Sequence, residues 1–317
     1  CHRLWQNVLQ KILLNKLILK SKGRIQMSVY VHGDNLEQKE NHPTKYRDDV
    51  SKQYLKEIRQ KYNEWKTANL SLYGPVKSNN ENDYKIIEER VKLFNEYKNF
   101  LDQQQYAEQF DSRSNLHSSA LEEFMYYLFR DLVLDYSQHA LIGKSHAFKD
   151  IFFRAANYYE MITQPHTMIE KKDHDFVIGA TINASFQCDG MTIIENESFD
   201  MPAVAIECKT YLDKTMLEGA STAAEQLKSR NPNAIYYVVA ERLKLTEAVN
   251  LKKYKVDQIY VLRKQRNTDR EYRYLEGYVA NPIYTDVVWH LFSSVREYLS
   301  TDWHGKIADG IDRGYLI

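Results

Sequence analysis

The chain has 317 residues, of which 43% are hydrophobic and 27% charged, as in a globular protein that buries a sizeable core. Lysine plus arginine and aspartate plus glutamate number 43 each, which excludes a global positive field, so any DNA-binding surface must be a local patch. Three cysteines without a spacing motif indicate a reducing cytoplasm, and no apolar run is long enough to predict a membrane span.

The N-terminal third divides into two segments. Residues 1–26 carry six Lys and Arg and no acid, and we interpret them as a basic extension, either translated from upstream or forming a peripheral helix, because Met27 resembles a natural start. Residues 27–111 form a predicted helical region. Its apolar residues recur at helical spacing from Tyr54 to Trp65 and again from Ile87 to Tyr97, with a Gly-Pro break between them. The pattern predicts a helical hairpin with a solvated charged face, the second helix covering residues 84–106.

The character of the chain changes from residue 112 onward. "SSALEEFMYYLFRDLVL" predicts a strong amphipathic helix, and "TMLEGASTAAEQLKSR" a second helix with small residues on one side. Four short β-branched or aromatic runs predict strands: "DFVIGATINASF", "AVAIECKTYL", "AIYYVVAERL" and "DQIYVLRK". With a last helix near residues 285–299, the interleaved elements predict an α/β core over residues 112–317.

Glu207 and Lys209 end an apolar strand, and alternate residues of a strand share a face, so both side chains point the same way. Four other Glu-x-Lys triplets lie in charged helical or loop stretches, and only this one follows a strand. Asp175 precedes the apolar run that begins at Phe176, and antiparallel pairing of the two strands would bring Asp175 beside Glu207. Two carboxylates and a lysine suit a hard divalent cation and a water to be activated, with the lysine orienting the water or offsetting charge on a phosphate.

This order of an aspartate, a strand hairpin, Glu-x-Lys, a helix and a strand resembles the PD-(D/E)xK nuclease superfamily. The strings "SSALEEFMYYLF", "KDHDFVIG" and "IECKTYLDKTMLEGAS" are similar to BbvCI-type type II restriction endonucleases, which cut short asymmetric duplex sites with two different catalytic subunits. The resemblance implies a mixed central sheet flanked by helices. It also implies a Mg²⁺-dependent type II restriction endonuclease, or one subunit of a heterodimeric enzyme. Its partners would be double-stranded DNA and a second, related or identical, nuclease subunit.

Carried over residue by residue, the resemblance implies a role for each member of the constellation. Asp175 and Glu207 would bind Mg²⁺, with the backbone carbonyl of Cys208 as a further oxygen ligand. Lys209 would position the nucleophilic water and help to deprotonate it.

One position departs from the superfamily pattern, because His174 stands where a proline often precedes the aspartate. The departure leaves open which aspartate serves. We favour Asp175 and keep Asp173 and Asp189 as alternatives.

The superfamily often adds an acid from the first core helix, and two adjacent glutamates compete for that role. Glu122 lies three residues after Ser119, as in a capping box in which the glutamate reaches back to the N-cap amide. Glu123 has no such local role, so we predict that Glu123 joins the site.

The most basic segment of the core, "RKQRNTDREYR", lies between two strand-like runs and predicts a hairpin loop that contacts DNA, where arginine reads guanine. The alternative is a solvated hairpin tip. The candidate DNA-binding residues are Arg263, Lys264, Arg266, Arg270 and Arg273. Two other functions remain open: a structure-specific repair or recombination nuclease of the same superfamily, and a non-catalytic DNA-binding module.

Overall fold

A computed structural model describes residues 28–110, 115–267, 274–303 and 311–314. The basic extension and two of the candidate DNA-binding residues, Arg270 and Arg273, lie outside the described residues. No helix in the described part of the chain has the length and apolar character needed to cross a bilayer.

Four helices form the N-terminal region: α1 (Val31–Glu40), α2 (Asp49–Ser71), α3 (Asp83–Leu101) and α4 (Gln104–Gln109). The predicted apolar stripes are buried, with Ile58 and Phe94 fully inaccessible to solvent. The second predicted helix is divided, because α3 ends at Leu101 and α4 begins at Gln104. Helix α1 was not predicted, and its apolar character is indeed weak.

Helix α5 (Leu116–Tyr136) lies at the centre of the molecule, and most of its residues are buried. A helix that is apolar on every side is stable only when it is covered on every side. Here α1 and α3 cover one side, while β1, β2 and β3 lie against the other. One hydrophobic cluster therefore continues from Leu36 in α1 to Val295 near the C-terminus.

Within the described ranges the sheet has five strands: β1 (Leu141–Phe153), β2 (Thr167–Gln187), β3 (Ile194–Leu212), β4 (Ile235–Leu243) and β5 (Gln258–Val261). They are ordered β1-β2-β3-β4-β5, antiparallel from β1 to β3 and parallel from β3 to β5. Three further helices are α6 (Tyr158–Thr163), α7 (Lys214–Arg230) and α8 (Thr285–Ser300). The prediction of a mixed sheet flanked by helices is confirmed, although β1 was not predicted.

The two faces of the sheet pack against different helices. Phe176, Ile206 and Cys208 belong to the cluster that contains α5 and α8, whereas Val177 and Ala205 pack with α7. The burial of Val204, Ala205 and Ile206 on both faces of β3 agrees with the unbroken apolar run around them. Glu207 and Lys209 follow directly after this buried stretch, where the side chains of β3 are again partly exposed.

Strand β2 has an irregularity in its pairing with β3 near Gly179. Its register with β3 shifts between Ile178 and Gly179, and a Cβ at Gly179 would lie 2.2 Å from the carbonyl oxygen of Met201. Only glycine permits so close an approach of the two strands. Strand β1, which pairs with β2, also pairs in parallel with β3, at Ala147 and Asp200. Strands β1, β2 and β3 therefore curl together into an arm.

Candidate active site

Asp175, Glu207 and Lys209 meet where β2 and β3 run side by side. The two strands are antiparallel with Phe176 opposite Ile206, which confirms the predicted pairing and sets Asp175 beside Glu207. The ammonium of Lys209 lies 2.7 Å from Glu207 Oε1 and 3.3 Å from Asp175 Oδ2.

The backbone fixes one of these carboxylates. The Cys208 N–H donates a hydrogen bond of 2.9 Å to Asp175 Oδ2. Asp175 is thereby held by the strand that carries Glu207 and Lys209, so the three side chains form one rigid cluster.

The charges of the cluster are strongly interdependent. Burial raises the pKa of Asp175, and the neighbouring Glu207 raises it further, while Lys209 opposes both effects. Burial alone would lower the pKa of Lys209, but the charges of Asp175 and Glu207 outweigh it and raise that pKa. The two carboxylates thus need a cation between them, and the lysine ammonium supplies one.

The two alternative aspartates lie elsewhere. Asp173 is 71% exposed and pairs with His146 on the neighbouring strand. Asp189 is exposed in the turn between β2 and β3. Of the three candidates, Asp175 is the one in contact with Lys209, so the structure brings together the favoured set.

Tyr236 is a site residue that sequence reasoning missed. Its hydroxyl donates a hydrogen bond of 3.1 Å to Glu207 Oε2 from strand β4. Its ring packs edge-on against His174 at 5.7 Å, and burial lowers the pKa of His174 to about 4, so that imidazole is neutral. The sequence shows the doublet "YY" in the β4 run, but it does not reveal the parallel register of β3 and β4 that brings Tyr236 to Glu207.

Glu122 is the acid of α5 that faces this cluster. Burial and then the charge of Asp175 raise the pKa of Glu122, and the Lys144 ammonium donates a hydrogen bond of 3.0 Å to its Oε2. The predicted capping box is wrong, because α5 begins at Leu116 with Asn115 at the N-cap. Lys144, which was also missed, brings a second cation to the site from β1.

The structure contradicts the prediction that Glu123 joins the site. Its carboxylate is fully buried on the other side of α5, where it accepts hydrogen bonds from the backbone N–H groups of His32 and Gly33 at 2.9 and 3.1 Å. The hydroxyls of Tyr62 and Tyr127 donate two more, at 3.0 and 2.5 Å. Glu123 therefore joins α5 to the N-terminal helices.

The oxygen groups of the cluster fit a Mg²⁺ ion. No three His, Cys, Asp or Glu side chains within the described ranges converge as a metal site, so side chains alone offer only Asp175 and Glu207. Mg²⁺ commonly takes one or two carboxylates and completes its octahedron with waters and substrate phosphate oxygens. The Cys208 thiol is 2% exposed, and burial raises its pKa, so this side chain packs in the core while its backbone carbonyl remains the predicted ligand.

Arg263 does not belong to a DNA-binding surface. It is 1% exposed, and its guanidinium donates to Glu241 Oε2 at 3.0 Å and to the Asn281 carbonyl at 2.7 Å. The predicted hairpin is also wrong, since no strand occurs among the described residues 274–284.

Lys264 and Arg266 are half-exposed and remain candidates for DNA contact. Lys264 pairs with Asp286 at 2.5 Å, and Arg266 with Glu247 at 2.5 Å. Exposed ion pairs of this kind contribute little to the stability of the fold. Breaking them so that the cation can contact a DNA phosphate therefore costs little free energy.

Replacing Arg263 with alanine should lower the free energy of unfolding by about 3 kcal/mol, because it removes one partner of a buried ion pair and leaves Glu241 with less compensation. Lys264→Ala is the matched control and should change stability by less than about 0.5 kcal/mol. Urea unfolding followed by circular dichroism measures both. A stable Arg263→Ala protein with reduced DNA affinity would contradict this structural role.

Comparison with known proteins places these features in context. Residues 113–316, more than half of the chain, match the family model described as Bpu10I restriction endonuclease. Among solved structures, a chain of the native BbvCI A2B2 tetramer is similar with a TM-score of 0.64 and 18% identity, over 89% of this chain and 100% of that chain. At this identity the likeness concerns the fold. A search of curated proteins gives no match.

Proposed function

The chain belongs to the Bpu10I restriction endonuclease family, and on that premise we propose that it is one subunit of a type II enzyme. It hydrolyses a phosphodiester bond at a specific short site in double-stranded DNA, with Mg²⁺ as its cofactor. The observation that carries the proposal is the convergence of Asp175 and Glu207 on the ammonium of Lys209, within hydrogen-bonding distance and directly after the buried stretch of β3.

Asp175, Glu207 and the Cys208 carbonyl would hold the metal ion. Bound there, a divalent cation supplies positive charge to the attacked phosphate and acidifies a coordinated water. Tyr236 keeps Glu207 oriented by donating to its second oxygen. The Cys208 N–H does the same for Asp175.

Lys209 is the cation of this chain that contacts both Asp175 and Glu207. Its ammonium can donate a hydrogen bond to the attacking water and offset the negative charge that accumulates on the phosphate in the transition state. Both tasks require the position beside the two carboxylates that Lys209 occupies. Glu122, with Lys144, supplies a further acid at the edge of the cluster.

The described part of the chain carries one such cluster, so one chain hydrolyses one strand. A double-strand break then requires a second subunit. Identical subunits favour a palindromic site by symmetry, whereas different subunits permit an asymmetric one. The similar chain of known structure comes from a tetramer with two kinds of subunit, which supports the second arrangement.

The metal requirement provides a direct test. With Mg²⁺, the chain and its partner subunit should cut one short duplex sequence, and chelation should abolish cleavage. Ca²⁺ should support site-specific binding without cleavage, because it accepts the same oxygen ligands but polarises water less. Strand-labelled duplexes resolved by denaturing gel measure cleavage, and a gel-shift assay measures binding.

Two outcomes would contradict the proposal. One is the absence of metal-dependent cleavage on plasmid and varied duplexes, with and without the partner. The other is full activity restored by Zn²⁺ alone after chelation, since zinc favours nitrogen and sulfur ligands that this cluster lacks.

A further inference from the structure

The tip of the curled arm is built from chain segments that are distant in sequence. We call it the arm tip; it comprises residues 151–168, which include α6, and residues 186–195, which hold the turn between β2 and β3 with the adjoining strand ends. The Phe153 and Phe186 rings contact each other with centroids 6.3 Å apart. Glu195 accepts hydrogen bonds from the N–H groups of His166 and Thr167, at 3.0 and 2.7 Å. The arm tip is therefore one continuous and ordered surface.

This surface is unusually apolar for one exposed to solvent. Of the 22 exposed large hydrophobic side chains found among the described residues, ten belong to the arm tip. Helix α6 has no buried residue at all, and Tyr158, Tyr159 and Met161 are 77, 73 and 63% exposed. Contiguous apolar patches on soluble proteins mark interaction sites, and aromatic residues and methionine are enriched in interfaces.

The exposed area is sufficient for a stable interface. Four aromatic side chains (Phe152, Phe153, Tyr158 and Tyr159) are 44 to 77% exposed. At about 200 Å² for each complete aromatic side chain, they present roughly 500 Å². That is more than half of the ~800 Å² that each partner contributes to a standard interface, before the methionines and isoleucines of the arm tip are added.

The charge of the arm tip identifies what can bind there. Its residues include three acidic side chains, Glu160, Asp189 and Glu195, and one basic side chain, Arg154, although the whole chain is balanced at 43 each. DNA binding depends on neutralising phosphates with cations, so an acidic arm tip is unfavourable for a duplex. Two copies of the same acidic surface would also repel each other. A different protein with an apolar surface and a basic rim is the complementary partner.

We propose that the arm tip is the docking surface for a second, non-identical nuclease subunit of the same family. The inference rests on the proposed function, in which one chain cuts one strand and needs another chain for the second strand. It goes further by assigning the contact to α6 and the adjoining strand ends rather than to the basic segment after β5.

The test is a double substitution on α6, Tyr158→Ser with Tyr159→Ser, in the full chain. Both rings are largely exposed, so the fold should be retained. The matched controls are Tyr73→Ser and Leu251→Ser, which change apolar residues that are 70 and 53% exposed outside the arm tip. The probe is the purified second nuclease subunit with which the wild-type chain assembles.

Analytical ultracentrifugation without DNA or metal measures the assembly. The double variant should bind the partner subunit about 100-fold more weakly, as expected when two aromatic anchors are removed from an interface. The two controls should remain within twofold of the wild type. This measurement does not depend on cleavage. It can therefore contradict the docking proposal without contradicting the catalytic proposal, and a cleavage assay can do the opposite.

Four results would overturn the inference. The first is unchanged assembly of the double variant with the partner. The second is a homodimer of the wild-type chain that the double variant dissociates, which would make a second copy the occupant. The third is a loss of duplex affinity in the isolated variant, which would make the arm tip a DNA contact. The fourth is double-strand cleavage by this chain alone that the double variant retains.

Discussion

Replacing Lys209 with glutamine should reduce strand hydrolysis by about a thousandfold while the chain still folds, assembles and binds its site. Glutamine retains much of the length and one hydrogen-bond donor group but loses the positive charge that lies 2.7 Å from Glu207 and 3.3 Å from Asp175. Removal of one preorganised group that stabilises transition-state charge costs about 10² to 10³ in rate, and here the group is also the cluster's own cation.

The partner subunit turns this substitution into a strand-specific result. A mixed enzyme of the Lys209→Gln chain and an intact partner should nick one defined strand of the site. Strand-labelled duplexes under single-turnover conditions measure each strand separately. Lys214→Gln is the matched control, since Lys214 is 62% exposed and pairs only loosely with Glu218 at 3.9 Å. Cleavage of both strands at the wild-type rate would show that Lys209 is not catalytic.

For this test, replacing Lys209 with glutamine is better than reversing its charge with glutamate. Burial and the charge of Glu207 already raise the pKa of Asp175. A third carboxylate at position 209 would add repulsion inside a half-buried cluster and destabilise the fold, so a loss of activity could no longer be assigned to chemistry. The neutral amide avoids that ambiguity.

The candidate catalytic cluster was largely predictable because it depends on short-range patterns. An apolar run ending in Glu207 and Lys209, and a second run preceded by Asp175, need only antiparallel pairing to bring the three residues together. The contribution of Lys144 could not be predicted in this way. It lies on β1, whose sequence is interrupted by polar residues and whose register with β2 shifts twice.

The basic segment after β5 shows why basic residues that cluster in sequence do not by themselves predict a DNA contact. Arg263 stands among other basic residues in sequence, yet its charge is compensated by Glu241, which is 22 residues away. Glu241 in turn pairs with Lys98 of the N-terminal helices at 3.0 Å. Partners so distant along the chain are brought together by the tertiary fold, so the sequence pattern could not distinguish a buried ion network from a DNA contact.

The two adjacent glutamates of α5 are expected to respond oppositely to the same substitution. Glu123→Gln should lower the free energy of unfolding by roughly 4 kcal/mol, because one amide carbonyl replaces two oxygens that accept four hydrogen bonds, leaving buried donors unsatisfied. Two of the donors, Gly33 and Tyr62, are packed so closely that a Cβ added at Gly33 would lie 2.3 Å from the Tyr62 hydroxyl. These residues therefore have little room to rearrange around the new amide.

The pH dependence of this stability difference has a definite sign. Burial is the main cause that raises the pKa of Glu123 above its ordinary value of 4.5. The folded chain therefore takes up a proton at higher pH than the unfolded chain, and the wild type gains stability relative to Glu123→Gln as pH falls from neutral toward 4.5. Burial lowers the pKa of His32, but His32 is present in both proteins, so its titration largely cancels in the difference.

Glu122→Gln should instead leave the free energy of unfolding within about 1 kcal/mol of the wild type and reduce the rate of strand cleavage. Its carboxylate makes one described hydrogen bond, to the half-buried Lys144, and faces Asp175 and Lys209 rather than the N-terminal helices. Urea unfolding and single-turnover cleavage, measured on both variants, separate the two roles. If Glu123→Gln were stable and inactive while Glu122→Gln remained fully active, the acid of the site would be Glu123. The assignment of Glu122 to the site and of Glu123 to stability would then be wrong.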